Sequence, residues 1–385
     1  MQKHDPIKVG ILYSWTGVTS QIESSQRLGT LLAIEEINGA GGINGREIVP
    51  VMYDPQSSPP KYRELAERLV SIDGVKVIFG CYMSSTRKAV IPVVEKRNCL
   101  LFYATLYEGF EYSNNLIYTG AAPNQNSVQL AEFMTSTFGP RVYLVGSDYI
   151  YPYESNRIMT DLVMQHEGGE ILGKSYVPLN AGEKDFARIV EDIRVKQPDF
   201  IFSTVVGNAT KHFYRAYAEA GLDPGKLPIG SLTTCEVEVA QMGADIANGH
   251  YTSSPYFQSI DSAVNRACVE KFQRRFNGEA MPNACWEAAY FQVHLFADAM
   301  RQAETDDLDA LMPRLLGAEF QAPQGLVRIE PSNHHTMLYP RIGRANLQGQ
   351  FTIVRESQRP VVPDPYLVSH SLGDWTVALS TLEAE

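Results

Sequence analysis

No run of 18 consecutive apolar residues occurs in the 385-residue chain, so no membrane-crossing helix is expected. Basic charge is also scarce: 33 Lys and Arg stand against 44 Asp and Glu, and no block of Lys or Arg exceeds two residues. A nucleic-acid surface normally needs a basic stripe, so neither direct nucleic-acid contact nor a membrane partner is expected. Five cysteines (Cys81, Cys99, Cys235, Cys268 and Cys285) are odd in number and widely spaced, with no C-x-x-C pair. That pattern argues against a disulfide framework and for buried free thiols in a reducing compartment. The opening MQKHDPIKVGILYS has no apolar h-region ahead of its first strand-like run, from which a cytoplasmic location is expected.

What is present is ordinary globular composition, with 44% hydrophobic residues, 20% charged residues and 29 glycines. The length predicts two domains. From residue 8 to about 120, apolar runs at 8–14, 47–54, 75–80, 100–105 and 116–120 alternate with helical patterns at 22–38, 59–72 and 85–97. Such alternation predicts βαβ crossovers and a parallel sheet covered on both faces. The rhythm restarts after GAAPNQN (120–126), with strands at 142–148, 171–179, 199–206 and 227–234 and helices at 126–138, 154–167, 184–197, 208–220 and 236–247. Residues 262–320 read as mainly helical, and 326–355 as a hairpin or meander around an Asn-Leu-Gln-Gly turn. Two α/β lobes follow, residues 1–121 with 256–325 and residues 122–255 with 326–385, joined by chain crossings near 120, 250 and 325.

Ligands of open parallel sheets sit outside the carboxyl ends of the strands. The loops expected there carry Trp15 to Thr19, Cys81 to Thr86 and Tyr103 to Gly109 in the first lobe, and Ser147 to Pro152, Val205 to Asn208 and Thr233 to Glu236 in the second. They are rich in Tyr, Ser and Thr and poor in formal charge. Ser84 occupies a helix N-cap position in this reading, and the tyrosines offer flat apolar walls with hydroxyl tips. Such a cleft suits a small uncharged polar molecule, an amide or urea. Glu108 and Asp148 read as hinge or cap partners more than as ligand contacts.

Chemistry on that ligand is not expected, and neither is a cofactor. Gly-x-Ser-x-Gly and His-Glu-x-x-His are missing, and Cys81, the one plausible nucleophile, has no His in any expected cleft loop. His334 and His335 are adjacent, diverge along the backbone, and lack further ligands for a metal. GAGGING (39–45) follows a helix instead of a strand, so it reads as a helix stop and turn, not a nucleotide fingerprint.

The strings GCYMSSTRKAVIPVVE (80–95), LYEGFEYSNNLIYTGAAPNQNS (106–127) and VGSDYIYPYESNR (145–157) resemble the amide-sensing negative regulators of bacterial amidase operons. More distantly they resemble the urea- and short-chain-amide-binding proteins of ABC transporters. SLTTCEVEVAQM (231–242), APQGLVRIE (322–330) and DPYLVSHSLGDW (364–375) extend the resemblance almost end to end. It implies a two-lobed type I periplasmic-binding-protein fold, each lobe a doubly wound, mainly parallel α/β sheet, with three interlobe crossovers. It assigns the ligand cleft to Tyr82, Ser84, Tyr103 and Thr105 from one lobe and to Tyr149, Tyr151 and Val205 from the other; Thr233, in a loop of the second lobe, joins them. The function it implies is a non-catalytic cytoplasmic sensor that holds an RNA-binding transcription antiterminator until an inducing amide releases it. The alternative is a solute-binding protein of a urea or amide transporter. A homo-oligomer is compatible with either. Where the family carries prolines beside the threonine of its Tyr-x-Thr-x-Tyr loop, this chain has Ala104 and Leu106, a departure that bears on ligand size.

Overall fold

Short apolar runs become strands β1 (Ile7–Leu12), β2 (Ile48–Met52), β3 (Val77–Gly80), β4 (Leu100–Tyr103) and β5 (Leu116–Tyr118), of which β3, β4 and β5 are buried throughout and β2 lies half-buried at the edge. They form a wholly parallel sheet in the order β2-β1-β3-β4-β5. Helices α1 (Ser20–Gly39), α2 (Pro59–Ser71) and α3 (Ser84–Arg97) connect them. The computed structural model describes residues 5–368; residues 369–385 at the end of the expected second lobe, with the 369–375 part of the last resemblance string, lie outside the described residues, as do residues 1–4.

After β5 the chain crosses to α4 (Pro123–Phe138) and a second sheet. Here β6 (Arg141–Ser147), β7 (Glu170–Val177), β8 (Phe200–Thr204), β9 (Ile229–Ser231) and β10 (Tyr251–Ser254) run parallel. Between them lie α5 (Ile150–Met164), α6 (Glu183–Lys196), α7 (Ala209–Glu219), α8 (Glu236–Met242) and α9 (Ala244–Ala247). The chain then returns to the first lobe as α10 (Ala263–Phe276), α11 (Ala284–Ala303) and α12 (Leu308–Leu315). A small antiparallel sheet follows, β11 (Glu319–Ala322), β12 (Gly325–Ile329) and β13 (Thr336–Met337). Finally β14 (Arg341–Ala345) and β15 (Phe351–Glu356) close the second sheet, ordered β15-β14-β10-β9-β8-β6-β7.

One face of the first sheet is covered by α1 and α10–α12 around Trp286, and the other by α2 and α3. Gly29 permits the close approach of α1 to α11, because a Cβ there would lie 2.7 Å from the Trp286 carbonyl oxygen. The glycine cluster after α1 is the expected turn: Gly42 has φ +75°, and a Cβ on it would lie 2.2 Å from the Arg46 carbonyl oxygen.

Several boundaries differ from expectation for identifiable reasons. Helix α5 begins at Ile150, not 154, since a proline is tolerated in a first helical turn and Pro152 sits there. The helix expected over 236–247 breaks at Gly243, whose φ is +96°. Residues 319 and 320, at the end of the segment expected to be mainly helical, instead open β11 after the turn at Gly317 (φ +85°). The third crossing lies at 338–340, not at 325, because β12 and β13 stay on the first lobe. Val327, Ile329 and Leu338 belong to that lobe's core, and the backbone of Tyr118 donates to the His334 carbonyl at 3.0 Å.

Among the buried carboxyls, burial pushes Glu23 and Glu287 up to about 7 and Glu236 up to about 8, and it raises Glu238 as well. Each binds its proton more tightly folded than unfolded, so its contribution is full below pH 4.5, its ordinary value, and is lost as pH rises through the folded value. Burial moves His250 and His335 the other way, down to about 3, so their contribution holds above 6.5 and is lost as pH falls. Burial opposes ionisation of Glu36 and Glu111 too, but their hydrogen bonds and cationic neighbours outweigh it and hold both at about 2. The melting temperature is therefore expected to drop steeply with acid below pH 4.5 and to decline gently up to pH 6.5, where the carboxyls oppose the imidazoles. From there to about pH 8 it should decline faster. Circular-dichroism melts across this range check the sign; a melting temperature that climbs with alkali would contradict it.

Candidate ligand-binding cleft

The turn from β3 into α3 builds the first wall. Cys81 adopts a left-handed conformation (φ 72°), and its amide donates to the Leu12 carbonyl at 3.0 Å. This turns the chain so that Tyr82 and Ser84 meet the loop after β4. The second wall comes from the start of α5 and from the loops after β8 and β9. Together Tyr82, Ser84, Thr105 and Leu106 of the first lobe and Tyr149, Tyr151, Val206 and Thr233 of the second line one cavity, which has a volume of only about 10 Å³ in this arrangement.

Six expected residues thus line one cavity, and two do not. Tyr103 is fully buried behind the wall, donating its hydroxyl to the Tyr82 carbonyl at 2.6 Å. Val205 points into the core of the second lobe, and its neighbour Val206 takes the cavity position, as alternation along an extended chain requires. Leu106 was visible in the sequence only as a departure in its loop; it packs against the cores of both lobes.

Ser84 is not the helix cap that the sequence suggests. Met83 holds that position, and the Ser84 hydroxyl donates instead to Glu108 Oε2 at 2.5 Å. Behind it, Arg87 is fully buried between Glu108 (3.3 Å) and Glu111 (2.7 Å) and lies over the rings of Tyr103 and Tyr107. Tyr107 in turn meets His335 Nε2 at 2.5 Å, and His335 stacks on Tyr118. No sequence signal marked this buried network, since the RK of SSTRKAV looks like an exposed helix face.

The other flagged residues have structural partners. Asp148 is exposed and accepts from the Tyr153 hydroxyl at 3.0 Å. Among the five free cysteines, Cys81 is fully buried and its thiol is pushed well up, by burial first and by Glu23 second. His334 contacts the Leu116 carbonyl, and His335 is engaged as above. Burial also raises the hydroxyls of Tyr82, Tyr149 and Tyr151, which therefore stay protonated and able to donate. Tyr151 has Ser155 as a polar neighbour, yet its buried hydroxyl oxygen has no hydrogen bond of good geometry.

The lobes touch around this cavity. Tyr82, Met83 and Cys285 of the first pack with Val237, Tyr149 and Cys235 of the second, and the Asn208 amide reaches the Val18 carbonyl at 3.4 Å. With space for little more than one water between them, the lobes are drawn close together here, and the cavity fits a ligand of few atoms at most.

Residues 7–372 match the family described as Periplasmic binding protein domain. The leucine-, isoleucine-, valine-, threonine- and alanine-binding protein of Pseudomonas aeruginosa is 26% identical over 325 residues, 83% of this chain and 85% of that protein. A solute-binding protein of an ABC transporter from Rhodopseudomonas palustris, solved with p-hydroxybenzoic acid, aligns with a TM-score of 0.85. It is 21% identical, and the alignment covers 95% of this chain and 100% of that one. The branched-chain amino acid transporter substrate-binding protein LivJ of Streptococcus pneumoniae, solved with isoleucine, aligns at 0.79 with 20% identity over 93% of this chain and 100% of that one. The expected two-lobed fold with mainly parallel sheets is the fold these proteins share. None of the three is named for amide sensing.

Proposed function

Because the chain belongs to the periplasmic binding protein family, we propose that its cleft captures a small uncharged amide or urea without transforming it, as the solute-binding component of an ABC transporter. One observation carries the ligand class: no side chain lining the cavity bears a charge. An amino acid would bury its ammonium and carboxylate against hydroxyls and methyls, and an aromatic acid would bury a carboxylate with no cation to meet it. Burying an unpaired ion is far more costly than burying an amide with its hydrogen bonds made. Arg87 does not serve as that cation, being held by Glu108 and Glu111. The absence of chemistry is supported by Cys81, whose raised thiol pKa makes it a poor nucleophile. The transport setting is supported by the relatives, which are named as transporter binding proteins.

The cytoplasmic regulator of an RNA-binding antiterminator stands as the second reading. It is favoured by the strings at 80–95 and 145–157, which supply Tyr82, Ser84, Tyr149 and Tyr151 to the cavity. In either setting the ligand must bind one arrangement of the lobes more tightly than the other, since equal affinity for both shifts nothing.

Calorimetry with acetamide, propionamide, butyramide, urea, leucine and 4-hydroxybenzoate tests the ligand class. An amide or urea is expected to bind at least about tenfold more tightly than leucine or 4-hydroxybenzoate, a gap of ~1.4 kcal/mol. Leucine or 4-hydroxybenzoate binding more tightly than every amide and urea would overturn it. Fractionation of the native host separates the settings: periplasmic protein supports transport, and cytosolic protein that co-purifies with an RNA-binding partner supports the regulator.

A further inference from the structure

The cleft hydroxyls differ in what their hydrogen-bond partners leave free. A serine hydroxyl has one proton and two lone pairs. The Ser84 proton is committed to Glu108 Oε2 at 2.5 Å, and one lone pair accepts from Arg87 Nη1 at 3.2 Å. Neither commitment is easily reversed. Glu108 sits between Arg87 (3.3 Å) and Lys88 (3.9 Å), so its carboxylate accepts, and a guanidinium has no lone pair to offer. What remains on Ser84 is one acceptor site. Across the cavity, Thr233 donates to the Val205 carbonyl at 2.9 Å and also presents lone pairs to the ligand. Donors come from elsewhere, above all the buried Tyr151 hydroxyl.

Resting on the amide reading above, we propose that Glu108 and Arg87 are positioning residues that make Ser84 a hydrogen-bond acceptor, so that the cleft selects ligands carrying an N–H donor beside a carbonyl. An unsubstituted carboxamide or urea meets both demands. It gives N–H groups to Ser84 and Thr233, one in each lobe, and its carbonyl accepts from a tyrosine. A ketone of the same shape leaves the Ser84 acceptor buried and unpaired.

Acetone tests this, because it replaces the acetamide NH₂ by a methyl group of similar size. Wild-type protein should bind acetamide more tightly than acetone by roughly 10- to 100-fold, the effect of leaving one buried partner unpaired. Glu108→Gln should invert the polarity of Ser84. Arg87 Nη2 donates to the position of Glu108 Oε1, which turns the glutamine oxygen toward Arg87 and its NH₂ toward Ser84. Both Ser84 lone pairs are then occupied, its proton faces the cavity, and the acetamide-to-acetone ratio should fall by about tenfold. A purely structural defect would weaken both ligands and leave the ratio alone. Ser84→Ala, which keeps the Arg87–Glu108 pair, should also lower the ratio and serves if the glutamine variant does not fold. Equal wild-type binding of acetamide and acetone overturns this inference while leaving the amide reading intact, and so does an unchanged ratio in the variants. Wild-type protein that takes neither acetamide nor urea overturns both.

Discussion

Arg87→Met is expected to destabilise the folded protein by about 3–5 kcal/mol and to abolish measurable ligand binding in the fraction that folds. Methionine follows the arginine stem but removes the guanidinium that three groups use: Glu111 at 2.7 Å, Glu108 at 3.3 Å and Ser84 at 3.2 Å. It also strips the cation from between the Tyr103 and Tyr107 rings, at 4.6 and 4.7 Å. Lys88, at 2.8 Å, continues to pair with Glu111, but it lies 3.9 Å from Glu108, which is only 3% exposed. A buried carboxylate left with only the Ser84 hydroxyl and so distant a cation dominates the loss. Arg87→Lys should cost less, since it keeps the charge and loses only the planar fork. Denaturant unfolding reads the result as a shifted midpoint at constant slope. A loss below about 1 kcal/mol would place Arg87 among residues of no special structural weight and sink the argument.

The same residue shows why part of the site was illegible in the sequence. A parallel strand declares itself through uninterrupted apolar residues, and Val77–Gly80 or Leu100–Tyr103 can be read because burial on both faces leaves no polar position. The uncharged Tyr- and Ser-bearing loops follow from the strand ends, so six of the cavity residues were reachable. Arg87 was not, because its burial depends on carboxylates 21 and 24 residues away, brought over it by a loop with no regular period. The Ser84 cap is missed by one position: Met83 keeps the extended backbone of a cap, Ser84 already opens the helix, and its hydroxyl proton goes to Glu108. β10 was missed because Tyr251–Ser254 is YTSS, which lacks the apolar run that marks its neighbours. It is placed by pairing, between β9 and β14, a context that only the tertiary fold supplies. The third crossing was set too early because β12 carries its apolar residues alternately, a pattern that fits an edge of either lobe.

That crossing supports the second large effect. Arg341→Met is expected to destabilise the protein by about 2–4 kcal/mol and to loosen the hinge between the lobes. Arg341, 6% exposed, donates through Nη1 to the carbonyls of Pro255 at 2.5 Å and Tyr339 at 3.2 Å, and through Nη2 to that of Gln324 at 3.0 Å. Pro255 begins the second crossing and Tyr339 lies in the third, so one guanidinium ties two of the three crossings to the turn between β11 and β12. Gln324 carries the tie onward, its side chain donating to Glu287 of α11 at 2.7 Å and accepting from the Tyr339 amide at 3.2 Å. Methionine leaves three carbonyls without this donor. Water can replace part of what is lost, because Arg341 and Gln324 border an open surface groove, which is why the expected cost falls below a simple sum of three buried losses. The functional consequence follows from population: if the closed arrangement is less favoured, apparent ligand affinity drops by the factor by which its share falls. Hydrogen exchange is the direct measurement. Amides at 256–262 and at 338, 339 and 341 should exchange faster in Arg341→Met while those of β3 and β8 keep their protection relative to global stability. Uniform acceleration across the chain would mean that Arg341 stabilises the fold as a whole and has no particular hold on the hinge.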